Sequence, residues 1–188
     1  MIIGLTGSYC SGKDTVAEYL VSRKGFEHRS LSDELRKVLK PRGIEPSREN
    51  LIRYGTELRE KKGNGILAKM VLKSAKAGRD YCITSIRHPA EVEILKKRKD
   101  FVLINVDAPP DIRFSRMRKR NRPGDPETFE KFLEFEKKES QDSGPGQQLA
   151  KTAGLASVQF MNDSNSIEEL FSKVNQLLAT LQKEFPSP

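Results

Sequence analysis

Residues 7–13 read Gly-Ser-Tyr-Cys-Ser-Gly-Lys, and they stand between an apolar run and an amphipathic one. The run before them, MIIGLT (1–6), has the length and composition of a buried strand. The run after them, KDTVAEYLVSRKG (13–25), puts Val16, Tyr19 and Leu20 on one face and ends at Gly25, as a helix does. A Gly-x4-Gly-Lys loop between a strand and a helix is the sequence form of a phosphate-binding loop. Gly7 and Gly12 permit positive φ and close backbone approach. The amides of Ser8, Tyr9, Cys10 and Ser11 can then join the helix N-terminus in an anion cradle. Lys13 can reach the β- and γ-phosphates of a nucleoside triphosphate. The other reading of the same letters is a plain strand–turn–helix carrying a surface lysine.

One position departs from that pattern. Ser or Thr is expected after the lysine, to hold Mg2+, but this chain has Asp14 and then Thr15. A carboxylate is a hard oxygen ligand, so Asp14 or Thr15 could supply the metal contact. Asp14 also fits as a first-turn acid favoured by the helix dipole. Both readings of Asp14 stay open at this level.

Further along, strand and helix patterns alternate. FEHRSL (26–31), YCITSI (81–86), FVLINV (101–106) and SVQFM (157–161) read as strands. Helices are expected over 32–40, 46–63, 66–78, 89–99, 110–120, 126–139 and 166–181. Ser47, Asp125 and Ser166 are expected N-caps, and Pro41 and the Pro-Gly-Asp at 123–125 are expected breaks. QDSGPGQ (141–147) reads as flexible and the tail EFPSP as frayed. The alternation predicts an α/β three-layer domain on a mostly parallel sheet, one domain over 1–188.

The 188 residues suffice for one well-packed core. Two distant cysteines, Cys10 and Cys82, make neither a disulfide framework nor a metal cluster, which suits a reducing cytosol. The start lacks the form of a signal peptide, and no apolar run approaches membrane-spanning length. A soluble, cytoplasmic protein is expected. The net charge of +8 attracts polyanions and peaks in RFSRMRKRNR (113–122), which could serve RNA or a small phosphorylated ligand. There is no Trp, so a base-stacking platform for RNA is not evident.

Taken together, the chain resembles the nucleoside monophosphate kinase superfamily of P-loop proteins, nearest to its dephospho-CoA kinase and deoxynucleoside monophosphate kinase branch. GSYCSGKDTVAEYL is similar to phage-type deoxynucleotide kinases, which also carry Asp after the lysine. ITSIRHPAEVEILKK resembles the third-strand motif, RFSRMRKRNRPGDPETFEKFLEFE the lid, and FMNDSNSIEELFSKV the C-terminal strand and base loop. The resemblance implies a five-stranded parallel sheet, a helical acceptor-binding insert (about 32–79), an arginine-rich lid (about 116–140) and ATP with Mg2+. By position it makes Arg36 and Arg87 clamps for an acceptor phosphate, a task suited to a bidentate guanidinium. Arg116 and Arg120, four residues apart on one helix face, match contacts to the ATP base and the transferring phosphoryl. Arg113, Arg118 and Arg122 are further candidates, and the cluster predicts a lid that ATP orders. Asp33 would be the base if the acceptor were a hydroxyl. For Arg36 a surface charge, for Asp33 a helix cap, and for the lid a solvated basic face or an RNA patch are the alternatives.

In the resembled motif the third strand ends Asp-Gly-x-Arg and its aspartate supports the metal; here the residues are Thr84-Ser85-Ile86-Arg87. Asp14, with Thr84, could take over that carboxylate's work, or phosphoryl transfer could be poor. His28 and His88 lack ligand-spaced partners, although His88 stands beside Arg87. The function expected is transfer of the γ-phosphoryl of ATP to a nucleoside or deoxynucleoside monophosphate. Dephospho-CoA as acceptor, or an ATP-dependent RNA-binding factor, are the other possibilities. No Asn-Lys-x-Asp guanine motif is present, so a GTPase is not favoured.

Overall fold

A computed structural model describes residues 1–122, 124–164 apart from 141–145, and 166–185, with side chains of 138–140 left aside. Five parallel strands form one sheet in the order β2-β3-β1-β4-β5: β1 (Ile2–Thr6), β2 (Glu27–Ser30), β3 (Tyr81–Thr84), β4 (Phe101–Asp107) and β5 (Val158–Met161). The central strand β1 lies between β3 and β4, with Ile2 opposite both Tyr81 and Phe101. Every residue of β1 is buried, which is why its sequence is apolar without alternation.

Successive side chains still point to opposite faces, and this divides the core in two. Ile3, Leu5, Val102, Ile104 and Val106 pack under α1 (Lys13–Lys24) and α9 (Ile167–Glu184). Ile2, Ile83 and Leu103 pack on the other face, under α2 (Leu31–Leu39), α4 (Ile66–Ser74) and α5 (Pro89–Leu95). Between α2 and α4 run a 3-10 turn (Lys40–Arg42) and α3 (Arg48–Lys62), capped as expected by Ser47, whose Oγ accepts from the Asn50 amide. After β4 come α6 (Pro110–Arg120), α7 (Phe129–Ser140) and α8 (Leu149–Gly154).

Several expectations need correction. Helices α4 and α5 end at Ser74 and Leu95 rather than at 78 and 99. Strand β3 stops at Thr84, not at Ile86, because Ser85 turns into the left-handed region at φ 61°. Helix α7 begins at Phe129, not Pro126, since the Asp125 carboxylate binds Arg120, Tyr9 and the Arg122 amide instead of capping it. Thr128 Oγ1 accepts from the Lys131 amide at that helix start. Helix α8 has no counterpart in the sequence reading. Pro123, residues 141–145 of the expected flexible stretch and 186–188 of the expected frayed tail lie outside the described residues.

All five strands run the same way, so their C-terminal ends share one edge of the sheet. In open parallel sheets ligands bind outside that edge, where strand order reverses. The 7–13 loop leaves β1 there, flanked by the segments leaving β3, β4 and β5.

Candidate functional site

The loop turns as its glycines predict, for reasons partly unlike those expected. Gly7 has φ 142° and Gly12 φ 93°. A Cβ on Gly7 would stand 1.9 Å from the Val106 carbonyl oxygen, and one on Gly12 would stand 2.3 Å from Asn162 Nδ2. The Val106 backbone thus forbids a side chain at Gly7, whereas at Gly12 the Asn162 side chain would have to move and the positive φ already disfavours one. Cys10 also has positive φ, 58°. Gly12 caps α1 without a side chain, so the amides of Lys13, Asp14 and Thr15 keep the orphan donors of a helix start.

This loop floors a cavity of about 1080 Å³. Lys13 Nζ donates to the Ser8 carbonyl at 3.3 Å. Burial pushes its ammonium below the ordinary lysine range; the Asp14 carboxylate resists that push and Arg87 adds to it. Asp14 and Thr15 both line the cavity, and Asp14 is exposed. Burial raises the Cys10 thiol, so it stays protonated at neutral pH.

One end of the cavity is built by α6 and the β5–α9 loop. Arg116 donates to the carbonyls of Ser11 at 3.3 Å, Asn162 at 3.2 Å and Ser164 at 2.6 Å. Asn162 Nδ2 also donates to the Ser11 carbonyl at 2.8 Å. Arg116 therefore fastens the phosphate loop to the far strand. Arg120, one turn on, donates to both Asp125 oxygens at 3.1 Å and to the Tyr9 hydroxyl, and its guanidinium lies 4.8 Å from the Tyr9 ring centre. Burial works against its charge, yet these bonds outweigh it and hold Arg120 above its ordinary value.

Of the five arginines of that helix region, Arg116, Arg120 and Arg122 line the cavity, whereas Arg113 and Arg118 do not. Arg113 is buried, donating to the Ala108 carbonyl at 2.7 Å and to Glu136, and so joins α6 to α7. It is structural, contrary to its candidacy as a ligand contact.

The opposite end is lined by Ser32, Leu35, Arg36, Arg48, Ser85 and Arg87. Arg87 Nη1 donates to Gln147 Oε1 at 2.8 Å, and no described carboxylate stands within ion-pair range of it. Burial lowers its pKa and the nearby Arg48 charge lowers it further, while the Glu91 carboxylate opposes them. The Arg87 amide and the His88 amide donate to Glu91 Oε2, while Arg59 Nε and Nη2 donate to Glu91 Oε1 at 3.1 and 2.8 Å. Arg59 and Glu91 are 4% and 0% exposed. This saturated buried pair locks the backbone that presents Arg87.

Asp33 pairs with Arg36 at 2.7 Å and is not among the cavity-lining residues, whereas Arg36 is. His88 is buried and caps α5 through Nδ1, which accepts from the Ala90 amide. Thr84, expected as a partner of Asp14, meets His28 Nε2 at 2.9 Å. It lines with Asp14 a smaller cavity of about 360 Å³ beside α1 rather than the main one. Among the described residues, no group of three or more His, Cys, Asp or Glu is arranged to hold a metal. Hard oxygens at Asp14 and Thr15 nonetheless fit Mg2+ at the loop.

Sequence reasoning did not single out Arg48, Arg59, Glu91, Gln147 or Asn162. Only Glu91 carried a readable signal: His-Pro-Ala-Glu is a capping box around a proline-started helix.

A glycine-hinged loop at the edge of a 2-3-1-4-5 parallel sheet, walled by arginines from both sides, defines an α/β fold of the P-loop kinase type. Residues 3–142 match the AAA domain family. The chain belongs to the UPF0200 protein family. It is 33% identical to a UPF0200 protein of Hyperthermus butylicus over 96% of this chain and 95% of that one. It is 34% identical to one of Pyrococcus abyssi over 88% and 89%. Its fold is similar to shikimate kinase from Bacteroides thetaiotaomicron (TM-score 0.64, 16% identity, 97% and 98% covered). It is also similar to shikimate kinase from Acinetobacter baumannii in complex with shikimate (TM-score 0.56, 21% identity, 95% and 93% covered). Among the described residues no helix is long and apolar enough to cross a membrane.

Proposed function

We propose that this protein transfers the γ-phosphoryl of ATP, with Mg2+, to a small phosphorylated acceptor, a nucleoside or deoxynucleoside monophosphate. The observation that carries this reading is Arg87: a desolvated cation lining the cavity, with a neutral amide as its described partner and Arg48 as a neighbouring charge. Such a group is stabilised by an incoming anion, and an arginine fork matches a phosphate.

The loop amides and Lys13 hold the β- and γ-phosphates, and Arg116 lies on the base side. Arg36 and Arg87 hold the acceptor's phosphate in line. An acceptor phosphate oxygen attacks the γ-phosphorus, the bond to the β–γ bridging oxygen breaks, and ADP leaves with that electron pair. Arg120 meets the charge on the transferring group once it exchanges Asp125 for phosphate oxygens. Mg2+, when bound, neutralises phosphate charge, and Asp14 and Thr15 are the residues that would hold it. No general base is required, because the attacking oxygen is already anionic. Asp33 is not among the residues lining the cavity, which favours this acceptor over a hydroxyl such as that of dephospho-CoA.

The test is ADP release from ATP and Mg2+ across nucleoside and deoxynucleoside monophosphates plus dephospho-CoA. Turnover with a monophosphate is expected. Turnover with dephospho-CoA alone, or tight ATP binding with no acceptor used, would overturn the reading.

A further inference from the structure

Three serines from three segments meet at the acceptor end of the cavity. Ser30 ends β2, Ser32 lies in the first turn of α2, and Ser85 follows β3. Ser30 Oγ donates to Ser85 Oγ at 3.0 Å; Ser30 and Ser32 Oγ are 2.8 Å apart, and Ser32 and Ser85 Oγ 3.0 Å. Each hydroxyl has one proton. With Ser30 donating to Ser85, all three bonds are made together when Ser32 donates to Ser30 and Ser85 to Ser32. The hydroxyls close a ring with its donors spent internally and lone pairs left over. Arg36 Nη1 donates to Ser32 Oγ at 3.2 Å and uses one of these. Ser32 and Ser85 line the cavity, so the Ser85 oxygen keeps an acceptor site there.

Two features show that this arrangement is held against local preference. Ser85 sits at φ 61°, a region glycine occupies without strain and serine does not. Ser30 is the N-cap of α2, but its side chain makes no cap bond and joins the ring instead. A ring that offers lone pairs does not suit a phosphate, which needs donors, and the arginines supply those. It suits a neutral hydroxyl, which can donate to Ser85 or enter the ring as both donor and acceptor. Leu35, Leu67 and Ile86 line the same cavity and suit an apolar body.

We infer that Ser85, its hydroxyl fixed by Ser30 and Ser32, forms a hydroxyl-recognition subsite that reads a ribose hydroxyl, so that within the proposed function the acceptor is a ribonucleoside monophosphate rather than a deoxynucleotide. The inference rests on that function. The site rejects the deoxy analogue because the ring's lone pair then loses its donor.

The experiment is calorimetric titration of the full chain, loaded with Mg2+ and β,γ-methylene-ATP. The titrants are the four ribonucleoside monophosphates and their 2′-deoxy and 3′-deoxy counterparts. One ribonucleotide is expected to bind about tenfold tighter than one of its deoxy forms, the worth of one net hydrogen bond. Ser85→Gly, whose backbone suits φ 61°, should bring that ratio near one with folding intact and deoxynucleotide affinity retained. Ser32→Ala should also lower the ratio. Equal ribo and deoxy affinities in the unaltered protein, or a ratio unmoved in both variants, would overturn the subsite while leaving the acceptor class standing. Binding of no monophosphate would overturn the acceptor class, and this inference with it.

Discussion

The hydroxyl of Tyr9, in the phosphate loop, donates to Asp125 Oδ1 at 2.7 Å across 116 residues of chain. Around that bond gather Arg120, which donates to both groups, Phe135, whose ring centre is 5.5 Å from that of Tyr9, and Arg48, 5.5 Å from the Tyr9 ring centre. One side chain thus joins the loop, the α6–α7 segment and α3. In the proposed reaction these are the parts whose approach would exclude water.

Asp125 gives this junction a pH dependence. Burial raises its pKa, but hydrogen bonds from Tyr9 and Arg120 outweigh burial and leave it below the ordinary 3.8. A carboxylate depressed in the folded state stabilises fully above its unfolded value and loses that contribution as pH falls through the folded one. The stability difference between the unaltered protein and Asp125→Asn should therefore be present at pH 6 and vanish in acid below 3.8, read by urea unfolding at each pH. A difference that grows in acid would contradict it.

Lys13→Ala should lower turnover by about a hundredfold or more, as removal of an oriented charge-stabilising group does. The buried ammonium titrates below 10.5. Triphosphate binding favours the protonated form, so ATP affinity should weaken as pH rises, beginning below 10.5. Calorimetry across alkaline pH checks this; a flat profile would remove Lys13 from phosphate binding.

Glu91→Ala should cost about 3–5 kcal/mol of stability in a denaturant melt, because it strands the buried Arg59 charge and two amides. A loss below about 1 kcal/mol would mean that water enters freely there.

Arg87→Lys keeps the charge and loses the fork. Acceptor KM should rise about tenfold or more while ATP affinity holds, separating the two ends of the cavity in steady-state kinetics. Equal loss for both substrates would place Arg87 in general folding instead.

Asp14→Asn should shift the Mg2+ dependence of turnover to higher concentration with little change in melting temperature, since Asp14 is exposed. An unmoved Mg2+ curve would return Asp14 to the role of a first-turn acid.

The sequence alone determined the elements whose signals are local. The loop, β1, α1 and the parallel α/β class follow from glycine spacing, lysine placement and apolar runs. The pairing of Arg116 and Arg120 on one face follows from helical period. Tertiary structure decided what depends on residues far apart in the chain. Arg113 looked like its neighbours but was buried against Glu136, and Asp125 looked like a cap but was taken by Tyr9 and Arg120. Arg59 meets Glu91 32 residues away, and Ser85 meets Ser30 across 55. A side chain's charge and hydrogen-bonding capacity are written in its letter. Which partner satisfies it is set only when the strands align and bring distant segments to one edge of the sheet.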